Sequence, residues 1–320
     1  MSRLSLWLAL GCLAAAALSI AAGKVWVPLD AWGANDPRAI IIAELRLPRT
    51  LLALGVGAAL GLSGAVMQGY LRNPLADPGL FGVSPGAALG AVLSLYFGFA
   101  AQAWLLPGFA LAGAAGTMAA LALIAGRSGS LILFTLAGLI LTSIAGSATA
   151  LAISLAPSPF VASQIVTWLM GALTDRSWDD VRVALPLIAL GAAVLATTAR
   201  ALDALTLGEA AARSLGVDPG WLQLTVIIGT ALTVGASVAA AGVIGFVGLI
   251  VPHLVRPLAG AKPSAMLLPS ALGGALLLTL ADSLVRLAPT VSELRLGIAM
   301  SMLGGPFFLW LLVSMRRRLA

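Results

Sequence analysis

Of the 320 residues, 60% are hydrophobic and only 9% are charged, and the mean hydropathy is +1.06. A soluble domain carries roughly 25% charged residues, so this composition excludes a water-soluble globular fold and defines a polytopic helical membrane protein in a lipid bilayer. The net charge of +6 comes from scattered arginines and few acids. No basic cluster stands outside the apolar runs, which excludes nucleic acid as a partner.

In chain order, apolar runs predict ten spans, near residues 4–23, 50–71, 84–103, 105–126, 132–156, 183–199, 221–241, 243–258, 265–285 and 296–315. The first follows Arg3 and ends at Ala21, Ala22 and Gly23, so it also reads as a signal peptide. At ~30 Å of helix it is long enough to cross the hydrocarbon, whereas a signal core is usually ~7–15 residues. The single cysteine, Cys12, lies within this run and leaves no intramolecular disulfide. Glycines recur four apart, at Gly57 and Gly61 and at Gly82, Gly86 and Gly90, which lets neighbouring helices of one subunit approach closely.

Pro157 and Pro159 stop the fifth run, and the apolar stretch 160–173 is too short to cross. It reads as a half-helix that either lines a cavity or lies at the interface. The eighth run is the weakest, being short and holding Pro252, His253 and Arg256. Ten spans put both termini on one side, and Arg316, Arg317 and Arg318 make that side cytoplasmic. Arg46 and Arg49 then fall on the outer side, against the usual charge bias.

The most polar island is the stretch 205–217. Gly208 precedes it, Glu209 occupies a first turn, three alanines follow, Arg213 sits near the end and Gly216 is the C-cap, which together predict a short helix. So few turns do not repay nucleation in water. The segment is either an ordinary loop packed on its own chain or the seat of a separate motor protein.

Two absences bear on energy supply. Lys24 and Lys262 are the only lysines and neither follows a glycine-rich phosphate loop. The stretches 79–126, 128–174 and 219–252 hold no Asp, Glu, Lys, Arg or His, whereas ion-coupled pumps keep ionisable groups in mid-membrane. Asp282 and Arg286 are four apart and suit a pair. One histidine, His253, makes no metal site, and no nucleophile–base set exists, so neither catalysis nor a bound cofactor is expected. Energy delivered by a partner at the short helix fits best. An ion-coupled secondary transporter acting without an ATPase, and a non-transporting scaffold, are the alternatives.

Several runs resemble one family. Arg46-Leu-Pro-Arg-Thr50, Gly64-Ala-Val-Met-Gln68, Arg72-Asn-Pro-Leu-Ala-Asp-Pro-Gly79 and Gly82-Val-Ser84 resemble the second and third spans of type II ABC importer permeases. Leu207-Gly-Glu-Ala-Ala-Ala-Arg-Ser-Leu-Gly-Val217 is similar to their coupling loop, and Gly245-Phe-Val-Gly-Leu-Ile-Val-Pro-His253 with Gly304-Gly-Pro-Phe-Phe-Leu-Trp310 to their last third. The first 45 residues carry no such motif. The resemblance implies an all-α polytopic membrane protein of about ten transmembrane helices, with a short half-helix after span five and a cytoplasmic coupling helix between spans six and seven. It implies one permease domain over 1–320, with inverted-repeat halves near 46–175 and 219–315 and a coupling loop at 200–218.

The implied partners are a second permease copy, two ABC ATPase subunits and a periplasmic or surface substrate-binding protein, at the bacterial plasma (inner) membrane. The implied cargo is a large metal chelate: an iron–siderophore, haem or cobalamin. By position, Leu207, Gly208, Glu209, Ala212, Arg213, Leu215 and Gly216 would seat the ATPase. Arg46, Arg49 and Arg286 match outer-surface arginines that dock the binding protein. Asn73, Pro74 and Leu75, with Ser128 and Ser130 on a second loop, would close the cytoplasmic gate. Thr142, Ser143, Ser147, Ser154 and Phe160 would line the pathway.

Overall fold

The computed structural model describes residues 3–23, 37–99, 102, 104–126, 130–260, 262–289 and 293–319. Among them every regular element is a helix. Helix α1 is Arg3–Ala21; α2, Pro37–Ile40, runs through a π-helical turn, Ile41–Arg46, into α3, Leu47–Tyr70. There follow α4 (Val83–Tyr96), α5 (Leu105–Ala125), α6 (Leu131–Ser154) and α7 (Pro159–Leu169). The second half holds α8 (Trp178–Ala196), α9 (Ala199–Leu205), α10 (Glu209–Ser214), α11 (Pro219–Ala241), α12 (Val247–Ala259), α13 (Pro263–Leu287) and α14 (Leu296–Leu319).

Seven of these helices are long and apolar enough to cross a bilayer, and α8 with α9, bent by 43° at their junction, make an eighth if read as one broken span. Helices α4 and α12 have 14 and 13 residues, short of the ~20 that a full crossing needs. The third apolar run is therefore not the full-length span expected over 84–103. Each short helix begins abruptly after a break, at Gly82 (φ +87°) and at Phe246 (φ +69°), both in the left-handed region. The half-helix expected after Pro157 is α7, capped by the Ser158 hydroxyl on the Val161 N–H.

Helices α3 and α11 form the centre. Of their most apolar windows 78% is buried within the chain, against 22% for α6 and 28% for α5 and α14. Glycines set this packing. A Cβ on Gly57 would fall on the carbonyl of Gly274, and one on Gly61 on that of Ser270, so α3 and α13 touch backbone to backbone. Gly86 and Gly113 bring α4 and α5 together in the same way.

The second span starts earlier than its apolar run. Helix runs from Ile41 to Tyr70, so Arg46 and Arg49 are helical residues inside the bundle rather than loop residues outside it. Helix α1 docks on this helix and on α13. Ser19 and Thr50 share a buried hydrogen bond of 2.7 Å, and the Cys12 thiol donates to the Leu272 carbonyl at 3.3 Å.

Candidate functional site

At the end of the bundle where α3 stops and α11 begins, α10 stands as a six-residue helix held by glycines at both sides. Gly208 has φ +101° and Gly216 φ +85°. The Gly216 N–H bonds the Arg213 carbonyl at 2.9 Å and the Val217 N–H bonds that of Ala212 at 3.0 Å, which is the Schellman arrangement. Ala212 is buried and, with Val217, faces Tyr70, Leu205 and Leu222. Leu207 and Leu215, one on each side, are 67% and 64% exposed, and Arg213 is exposed between them. Glu209 pairs with Arg72 at 3.3 Å. The helix is thus capped at its C-terminal end, fixed by its small face and flanked by exposed leucines.

Helix α3 ends in the same motif. The Asn73 N–H bonds the Gln68 carbonyl at 3.1 Å and the Arg72 N–H that of Gly69 at 3.3 Å. Here the left-handed position is held by Arg72, φ +50°, and not by glycine. Asn73 then accepts the Leu75 N–H at 2.9 Å, closing an Asx turn around Pro74. Asp77 caps the 3₁₀ turn Pro78–Phe81 through the Gly79 N–H at 2.8 Å. Pro74 lines a small notch on the α10 side, and Leu75 lines a cleft on the other. The loop read from sequence as a gate therefore borders both spaces. Ser130 caps α6 through the Leu133 N–H, and Ser128 lies outside the described residues.

The cleft has a volume of about 480 Å³. Its walls include Leu75, Pro78, Gly146, Phe246, Leu249 and Phe308, drawn from the gate loop, α6, the start of α12 and α14. Its lining is apolar apart from a few groups such as Asp77, Ser84 and Thr149. Of the pathway residues read from sequence, Thr142 donates to the Leu80 carbonyl at 3.0 Å, which ties α6 to the gate loop. Ser143, Ser147 and Ser154 are exposed along α6, and Phe160, at the start of α7, is 76% exposed. Those serines are not among the residues that line this cleft, whereas Gly146 and Thr149 are. Phe246 was not legible as a cleft residue. The signal was present, since Gly304 leaves the room that the Phe246 ring occupies.

Gln68 was also missed. Pro252 has no N–H, so the Gly248 carbonyl four residues earlier in α12 lacks its helical donor. The buried Gln68 amide supplies it, with Nε2 donating to Gly248 at 3.3 Å and reaching Leu249 at 3.5 Å. Its Oε1 accepts from Arg256 at 2.9 Å.

The three outer arginines need a correction. Their exposures are 7%, 8% and 5% for Arg46, Arg49 and Arg286, so they do not stand on the outer surface as free forks. Arg46 donates to the carbonyls of Ile20 and Ala21 at 3.0 and 2.7 Å. Arg49 grips both oxygens of Asp282 (2.9–3.1 Å) and reaches Glu293 at 2.9 Å. Arg286 pairs with the same Asp282 at 3.3 Å and donates to Ser19. The Asp282–Arg286 pair is the one predicted from spacing. Glu293 also accepts from Thr174 at 2.9 Å. Burial alone would raise the Glu293 carboxyl, but Arg49 and Thr174 outweigh it and hold it below the usual carboxylate range. The cluster ties α1, α3, α13 and the loops before α8 and α14 into one end of the molecule.

Short broken helices, an apolar cleft and a small capped helix at one end of an apolar bundle are the features of a membrane transport subunit. The FecCD transport family matches residues 10–314, and the chain belongs to that family, the permease subunits of type II ABC importers. It is 39% identical over 316 residues to the hemin transport system permease protein HmuU of Yersinia pestis, covering 97% of this chain and 93% of that one. It is 39% identical over 317 residues to the vitamin B12 import system permease protein BtuC of Salmonella paratyphi A, covering 98% and 96%. A solved structure described as an inward-facing metal-chelate type ABC transporter superposes with a TM-score of 0.89 at 32% identity, over 98% of this chain and 99% of that one.

Proposed function

We propose that this chain is the pathway-forming subunit of an ATP-driven importer for a large metal chelate, of the haem, cobalamin or iron–siderophore kind. Two copies would enclose one route across the bacterial inner membrane, with both termini in the cytoplasm. ATP would be hydrolysed in two separate subunits seated on α10, and a substrate-binding protein would deliver cargo from outside. The hemin and vitamin B12 relatives support the substrate class, and the apolar, weakly polar lining of cleft and α6 suits a bulky ligand passed along rather than held. The paired breaks at Gly82 and Phe246, each opening a short helix, support halves near 46–175 and 219–315 related by inverted topology.

The observation that carries the reading is the lever: Leu207 and Leu215, bare beside a helix whose ends are fixed by Gly208 and Gly216. Docking at Arg49 and Arg286 requires a partner carboxylate to replace Asp282 or Glu293, and docking at Arg46 requires one to compete with the Ile20 and Ala21 carbonyls. The test is Leu207→Ser with Leu215→Ser in the reconstituted importer. The expected result is lost ATPase assembly and uptake with unchanged thermal stability of the permease. Uptake at the wild-type rate would refute the lever.

A further inference from the structure

Beside α10 lies a notch of about 250 Å³ lined by Gln68, Arg72, Pro74, Thr206 and Arg256, among others. We propose that it receives a carboxylate side chain of the ATPase subunit, and that Gln68 carries its occupancy to the first turn of α12. The proposal rests on the reading that the ATPase seats on α10.

Charge is the first argument. Among the described residues the Arg72 side chain is held only by Glu209, at 3.3 Å, with both side chains more than 40% exposed, and such a pair exchanges readily. Arg256 bonds a neutral amide, its Nε is buried with no hydrogen-bond partner, and among the described residues no carboxylate pairs with it. Two guanidiniums face one small space whose lining holds no acid, which calls for an anion. Thr206 adds a hydroxyl at the rim.

The backbone is the second argument. The end of α10 and the end of α3 are the same motif, with Gly216 in one left-handed position and Arg72 in the other. A side chain there is strained where glycine is not, and strain retained at one position points to use. The strained residue is the one that puts a guanidinium into the notch.

The relay completes the case. Arg256 fixes one end of the Gln68 amide, and the other end donates to the carbonyl that Pro252 leaves without a helical partner. Gly248 and Leu249, the residues so held, line the inner cleft. An anion that draws Arg256 toward the notch releases Gln68 and loosens the turn that opens α12. Partner engagement thereby reaches the cleft through two side chains, Arg256 and Gln68, independently of the lever.

The experiment measures affinity of the purified permease in nanodiscs for its separately purified ATPase, across a salt series. Arg256→Gln should weaken binding about tenfold and flatten the salt dependence. Arg72→Gly should weaken binding as well while raising the melting temperature, since it relieves the turn; this separates lost contact from lost fold. Gln68→Leu frees Arg256 from its internal partner, so it should tighten ATPase binding while lowering the cargo moved per ATP hydrolysed. If wild type binds and Arg256→Gln and Arg72→Gly bind equally well, the carboxylate seat is refuted. If Arg256→Gln instead alters only co-purified anionic phospholipid, the occupant is a lipid headgroup and the proposal falls. A wild-type permease that fails to bind the ATPase at all would refute the lever reading itself.

Discussion

Asp282 is fully buried and serves two guanidiniums at once, two-pronged from Arg49 and single from Arg286. Asp282→Asn keeps the volume and removes the charge. Arg286 would retain Ser19 and the Ala22 carbonyl, and Arg49 would retain Glu293, but two buried cations would then share one acid whose side chain is 24% exposed. Breaking a buried pair by removing one partner costs about 3–5 kcal/mol. The remaining partners place this case near the lower end, about 3 kcal/mol, or some two powers of ten in the folding equilibrium. Equilibrium unfolding in mixed micelles reads it, with Arg286→Gln added to make a double-mutant cycle. The double variant should lose less than the sum of the singles, because removing one unpaired cation relieves part of what the first change exposed. A single-variant loss below about 1 kcal/mol would mean that the arginines are not held by Asp282, and the internal-network account would be wrong.

Further outcomes follow from the same geometry. Glu293 has a lowered folded pKa, so its contribution is present at pH values above the usual glutamate range and is lost as pH falls through the lowered folded value. Melting temperature should therefore drop below about pH 4, and Glu293→Gln should flatten that drop; an unchanged profile would remove the Arg49–Glu293 contribution. Gly57→Ala drives a methyl into the Gly274 carbonyl and should destabilise by about 1–3 kcal/mol or displace α13, measured by the same unfolding assay; a neutral effect would show that α3 and α13 separate easily. Gly216→Ala places a Cβ at φ +85° and should cost about 1–2 kcal/mol locally, seen as faster hydrogen exchange in α10 with the bundle protected as before.

Local chemistry made much of this molecule legible. Gly208, the alanines and Gly216 announced α10, and Pro157 with Pro159 announced α7, because caps and breakers act within a few residues. The Asp282–Arg286 pair was readable for the same reason. The outer boundary of the second span was not. Arg46 and Arg49 read as water-facing, yet their partners are Ile20, Ala21, Asp282 and Glu293, up to 244 positions away. Pairing over that distance converts two expensive residues into bundle residues, and no window of sequence contains it. Gln68 is a sharper case. Pro252 states that the Gly248 carbonyl lacks a donor, but not which side chain supplies one. Which positions of α6 line the cleft within the chain was not legible for a different reason: a helix with most of its surface uncovered has no strong apolar face to fix its rotation.

Phe246 shows why the breaks matter together. A phenylalanine at φ +69° is disfavoured by about 1–2 kcal/mol relative to glycine, and Gly245 stands next to it in the sequence. The ring compensates by packing into the space that Gly304 leaves on α14 while also lining the cleft. Helix α12 is thus bonded to α3 through Gln68 at its first turn and keyed to α14 by one ring at its cap. Phe246→Gly relaxes the backbone but removes the key, so it should leave overall stability within about 1 kcal/mol of wild type while freeing α14 from α12. Gly304→Ala keeps the strained backbone and expels the ring. If both variants transport cargo as wild type does, the α12–α14 contact plays no part in opening the cleft.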